Sequence, residues 1–251
     1  MNSTAIRLIV FACIFGAALL GLVFRAVLPE RHLSADSKDT VRLGMGMIAT
    51  MAALVLGLLV ASAKNFYDTQ SGELTQLSAN VILLDRVLAH YGPETKEARD
   101  LLRGAVARTL NVMWQQDQPQ QSQMRPGAAG GEILYDKIQA LSPANDVQRT
   151  FQSQASGMAV DLGKLRWLMF EQGTIGISWP LLAVLVFWLA IVFASFGLFA
   201  PPNPTVIVTL FLCALSVSGA IFLILEMYTP YQGLIQISSA PLRDALAHLG
   251  Q

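Results

Sequence analysis

At 251 residues, 53% hydrophobic and only 14% charged, the chain falls well short of the roughly one-quarter charged content usual in a soluble domain. Lys and Arg number 17, as do Asp and Glu, so bulk charge supplies no argument for a nucleic-acid partner. The two cysteines, Cys13 and Cys213, lie inside apolar runs, which excludes the disulfide framework of a small secreted domain.

Charge is nearly absent from four long runs. The first, residues 5–28, is broken only by Arg7 and Arg25. It is too long for the h-region of a signal peptide, and no small-x-small cleavage site follows it, so it reads as a retained helix. A second helix is expected over residues 41–64, with no charge between 43 and 63. The third and fourth are expected over 177–200 and 204–227. About 20 residues at 1.5 Å each span a hydrocarbon core of roughly 30 Å. Inside hydrocarbon the backbone must satisfy its own hydrogen bonds, so each run is helical. Pro201, Pro202 and Pro204 end one helix and start the next.

The fold class expected is therefore an all-α membrane protein with four transmembrane helices in two hairpins, residues 1–64 and 177–227. A helical soluble insert fills 65–176, and a tail covers 228–251. Four crossings place the N-terminus, the insert and the tail on one side. The charge rule is close to a tie, with Arg7, Lys64, Lys164, Arg166 and Arg243 against Arg25, Arg31, Lys38 and Arg42.

Downstream of Lys64 the chain turns amphipathic without a break. Leu74, Leu77, Val81, Leu84, Leu88 and Tyr91 recur at spacings of three and four, the seam a helix needs to pack lengthwise. The second membrane helix is expected to continue through it as one rod of roughly 75 Å, with Gly72 the place for a bend. Gly92-Pro93 ends the rod. A helix over 94–114 presents Ala98, Leu101, Ala105 and Val106. A flexible loop is expected at 115–131, where Gln, Pro and Gly dominate. A short helix over 133–141 and a longer one over 143–170 follow, the latter with a seam at Val147, Phe151, Met158, Leu162, Leu165 and Met169. Both seams read as packing within a helical bundle, with an intersubunit coiled coil as the alternative. In the tail, Leu242, Leu246 and Leu249 mark one face of a short amphipathic helix that packs on the membrane surface or on the insert.

In the second membrane helix Ala49, Ala53, Gly57 and Ala61 fall every fourth residue and form a smooth ribbon for close helix contact, with a partner in the same chain or in a neighbouring subunit. Gly44-Met45-Gly46-Met47-Ile48-Ala49 matches a dinucleotide fingerprint by letters, but follows no strand. His32, His90 and His248 are far apart, so neither a metal site nor a cofactor is expected. Neither a nucleophile elbow, a Walker loop nor a His-Glu-x-x-His motif occurs, and enzyme activity is not expected. Glu226 abuts the fourth helix. A carboxylate there attracts cations or ties down a neighbouring helix, or else simply reaches water between belt aromatics Tyr228 and Tyr231.

Three segments carry a family resemblance. One runs from Val55 through Gly57 to Ala61 and continues as Lys64-Asn65-Phe66-Tyr67-Asp68. Another is Leu77-Ser78-Ala79-Asn80-Val81-Ile82-Leu83-Leu84-Asp85-Arg86. The third joins Glu226 to Pro230-Tyr231-Gln232-Gly233 and Ser238-Ser239-Ala240-Pro241-Leu242. Together they resemble a bacterial bestrophin-like membrane family, with Asp85, Glu226, Pro230 and Gly233 at its motif positions. The resemblance implies kinship to bestrophins, oligomeric anion channels with four membrane segments and cytosolic helices. It implies a multi-pass protein of the bacterial inner membrane with insert and termini in the cytosol. If the second helix lines a pore, Met47, Met51 and Leu54 form an apolar neck. Two functions follow as expectations: a homo-oligomeric, channel-like protein passing small ions, or a non-conducting membrane scaffold or sensor whose helical stalk recruits a protein partner.

Overall fold

A computed structural model describes residues 3–27, 35–114, 131–174 and 176–251. Every regular element among these residues is helical: α1 (Ser3–Val27), α2 (Ala35–Tyr91), a 3₁₀ turn (Pro93–Thr95), α3 (Lys96–Trp114), α4 (Gly131–Gln139), α5 (Asp146–Thr174), α6 (Trp179–Phe199), α7 (Pro204–Met227) and α8 (Ala240–His248). The all-α class is thus found, and α1, α2, α6 and α7 are each long and apolar enough to cross a membrane. Most of the loop predicted at 115–131, and residues 28–34 of the first connection with His32, lie outside the described residues; Gly131 begins α4.

The chain divides into two compact units: Met1–Phe66 with Ile177–Tyr228, and Tyr67–Gly176 with Thr229–Gln251. One division falls inside α2, which stays helical through Gly72.

In the first unit α1 lies along α6 and α7. Its buried line, Ile6, Val10, Ile14 and Ala18, recurs every fourth residue and meets Leu182, Leu185, Phe193, Leu210, Ala214 and Ile221. A Cβ added at Gly21 would fall on the Ala194 carbonyl, and one added at Gly197 on the Ala18 carbonyl. Two small-x-x-small pairs, Ala18/Gly21 and Ala194/Gly197, thereby bring the backbones of α1 and α6 together. Without a hydrophobic driving force in lipid, such close packing is what holds membrane helices in place. Phe11 and Phe15 meet Phe211 edge-on at 5.4 and 5.5 Å, fixing α1 against α7.

In the second unit, the α2 seam from Leu74 to Tyr91 is buried at each of its six positions. It shares a core with Leu102 and Val106 of α3, Leu134 and Ile138 of α4, and Leu162, Leu165 and Met169 of α5. Val147, at the start of the α5 seam, is exposed instead, the second residue of a helix whose buried line begins further on at Ala155. The tail joins this core: Leu242 and Leu249 are buried and Leu246 packs against them. At the end of α2, Gly92 takes φ +139°, a conformation unsuited to other residues. The Thr95 hydroxyl lies 2.6 Å from the Leu88 carbonyl and donates to that orphaned last-turn group.

Candidate functional site

The membrane portion of α2 differs from the other three spans in how little of it is covered. Of its most apolar stretch 11% is buried, against 28% in α1, α6 and α7. At about 100° per residue, its side chains sort into three faces roughly 120° apart. Ala52, Leu59 and Ala63 are buried against the rest of the unit. The small-residue ribbon forms the second face: Ala53, Gly57 and Ala61 are exposed, Ala49 is half-buried, and a Cβ on Gly57 would meet open space. Met47, Met51, Leu54 and Leu58 form the third, with exposures of 70, 41, 70 and 62%. Ala49 shares a pocket with Val192 and Phe196 of α6, whereas among the described residues Ala53, Gly57 and Ala61 are left open to lipid or another subunit. Thr50 donates its hydroxyl back to the Gly46 carbonyl at 2.8 Å, so this hydroxyl is satisfied by its own helix.

The residues at the family motif positions serve different parts of the fold. Asp85 is 1% exposed. Its two oxygens accept from Arg99 Nε at 2.8 Å and Nη2 at 2.9 Å, a fork-on-fork pair of the strong kind. Asp85 also accepts from the Gly250 amide at 3.2 Å, and Arg99 donates to the Gln251 carbonyl at 3.3 Å. One carboxylate thus ties α3 and the tail to α2. Its hydrogen bonds hold the Arg99 guanidinium above its ordinary range, against the opposing pull of partial burial. Sequence reasoning missed Arg99. The signal was present, because Asp85 stands as far before the Gly92 turn as Arg99 stands after it.

Glu226 is 4% exposed, so the reading in which it reaches water from the surface of the chain is corrected: it is buried near the C-terminal end of α7. Pro230 and Gly233 build a closed loop in the second unit. The Ile237 amide donates to the Pro230 carbonyl at 2.7 Å. Gly233 adopts φ +89°, which only glycine takes without strain.

Between these two residues, Tyr231 enters a buried polar cluster that the sequence did not reveal. Its hydroxyl donates to Gln70 Oε1 at 3.2 Å, and its ring meets Trp114 edge-on at 5.6 Å. Gln70 Nε2 donates to Gln172 Oε1 at 3.0 Å, and Gln172 Nε2 to Glu73 Oε1 at 2.8 Å. Burial first, and the Glu73 charge second, push the Tyr231 hydroxyl far above its usual range. Gln70 stands one turn before Leu74 on the seam, so a polar residue interrupting an apolar line was the available clue. Among the described residues, no group of three His, Cys, Asp or Glu is placed to hold a metal ion.

Residues 12–242 match the family model of the bestrophin-like domain. Neither the curated proteins nor the solved structures yield a match.

Proposed function

Starting from the fact that this chain belongs to the bestrophin-like family, we propose that it is a homo-oligomeric, channel-like membrane protein passing small ions, anions by family analogy. The observation that carries this reading is the three-faced α2. One face packs inside the chain, a smooth one is free for a neighbouring copy, and a large apolar one can point at a shared axis. Met47, Met51 and Leu54 would then form the neck, gating by exclusion of water. The ribbon of Ala49, Ala53, Gly57 and Ala61 would set how closely neighbouring copies approach. We further read residues 1–64 and 177–227 as two transmembrane hairpins, and the termini and insert as cytosolic at a bacterial inner membrane. We assign no catalytic role to any residue.

The scaffold reading draws on a single observation, the Thr50 hydroxyl bonded back to its own helix, which withdraws that donor from any ion path along α2. Purified protein in planar bilayers separates the two. Currents from an oligomer of defined mass support conduction; repeated silence from an intact oligomer transfers the case to the scaffold, and a strict monomer in detergent removes the central pore.

A further inference from the structure

The second unit contains a cavity of about 470 Å³, within the roughly 300–1,000 Å³ range of small-molecule sites. Leu77 and Val81 of α2, Leu102 and Val106 of α3, and Leu134 and Leu162 form apolar walls. Val160 and Trp167 line both this cavity and a shallower groove that continues over Leu168. These three are exposed at 42, 52 and 48%, so the apolar lining extends past the mouth.

Among the described residues Arg166 is the one cation lining the cavity itself; Lys164, paired with Asp161 at 3.1 Å, lines the adjoining groove. Arg166 lines the cavity, with Nη1 3.4 Å from where a Cβ on Gly131 would stand. Every ion pair among the described residues involves other partners, and Arg166 makes no side-chain hydrogen bond to any of them. Burial pulls its pKa below the ordinary arginine value. Guanidinium stays charged in proteins, and a charge removed from water without a partner is costly. An arriving anion would relieve that cost. Glu132 and Asp136 also line the cavity, at its exposed α4 side, and their charges oppose a ligand carrying more than one negative charge.

We propose that this cavity binds a single-chain amphipathic monoanion, a free fatty carboxylate of medium length, with its head paired to the Arg166 guanidinium and its chain along the apolar walls. Bidentate pairing suits a carboxylate, and the apolar groove beyond the mouth accommodates the end of the chain. This site is independent of the channel reading, because all the described lining residues lie in the second unit.

The test uses the full chain in lipid nanodiscs, titrated with decanoate, decanol and decyl phosphate, with empty nanodiscs subtracted. Equilibrium dialysis reads binding, and tryptophan emission reports on Trp167 at the mouth. Decanoate should saturate a single site and bind tighter than decyl phosphate. Arg166→Gln should weaken decanoate about tenfold, the loss of one charge-assisted pair, and leave decanol unchanged; Arg166→Lys should retain most of the affinity. Gly163 also lines the cavity, and a Cβ there meets nothing within 4 Å. Gly163→Leu should therefore fill the space without a clash and abolish decanoate binding even if Arg166→Gln fails to fold. No saturable binding above empty nanodiscs overturns the proposal, as does equal decanoate affinity in wild type and both variants. Tighter binding of decyl phosphate overturns the carboxylate assignment in favour of a phosphate head.

Discussion

Asp85 and Arg99 face each other across the turn at Gly92, joined by two hydrogen bonds of 2.8 and 2.9 Å. Their side chains are 2% and 21% exposed. Breaking a buried pair leaves an uncompensated charge and costs about 3–5 kcal/mol. Arg99→Ala strands the deeper member and should be the worse of the single changes, with Asp85→Ala following. The double change to leucine should recover part of the loss, since no charge is then left buried. Thermal unfolding in detergent reads all three. A double variant as unstable as the sum of the singles would mean that the pair matters only for packing.

The crossing of α1 and α6 is the place where a single methyl group should be felt most. Gly21→Ala and Gly197→Ala each drive a Cβ into a backbone carbonyl and should cost about 1–3 kcal/mol or more. Gly57→Ala meets open space and should leave the stability of the single chain unchanged. Gly57→Leu should instead reduce recovery of the oligomer in cross-linking or mass measurements. Identical oligomer recovery from wild type and Gly57→Leu would show that the ribbon faces lipid.

If Met51 and Leu54 form a neck, Met51→Ser and Leu54→Ser should each raise the current by letting water occupy it. Planar-bilayer recordings at matched protein density make the comparison. Unchanged currents in both variants would put the ion path away from α2.

Tyr231 gives a pH dependence with a definite sign. The unfolded chain ionises this hydroxyl near pH 10, whereas burial keeps the folded form protonated well beyond that. Above about pH 10 the unfolded state loses a proton that the folded state retains, so stability falls as pH rises. Tyr231→Phe should cost about 0.5–1.5 kcal/mol near neutrality through the lost bond to Gln70. It should also flatten the alkaline decline. Melting curves between about pH 8 and 11 that run parallel for the two proteins would show that Tyr231 does not titrate with unfolding.

The membrane helices were legible because hydrocarbon sets a length and forbids charge, and both leave marks in the linear order of residues. The α2 seam was legible for a similar reason, since its spacing is a local property of one helix. What could not be read joins distant positions. Gln172 meets Gln70 from 102 residues away, and Tyr231 meets it from 161. Small residues at fixed spacing pointed to α2, yet the backbone approach seen within the chain uses Ala18 and Gly21 against Ala194 and Gly197. Both stretches carry the same kind of signal, and only the pairing of helices decides which is used inside the chain. The Arg166 cavity had no local mark, because its lining is assembled from α2, α3, α4 and α5, which are far apart in sequence.

The tail supplies Tyr231, Ile237, Leu242, Ala245 and Leu249 to the core whose other walls come from residues 74–169. During synthesis these walls leave the ribosome before the last two membrane helices have been inserted, and the closing segment emerges only after those helices. The second unit must therefore wait, incomplete and with apolar surface uncovered, until residues 231–249 have been made. Chains stopped after Tyr228 would keep their membrane helices but expose this gap, marking them for proteolysis.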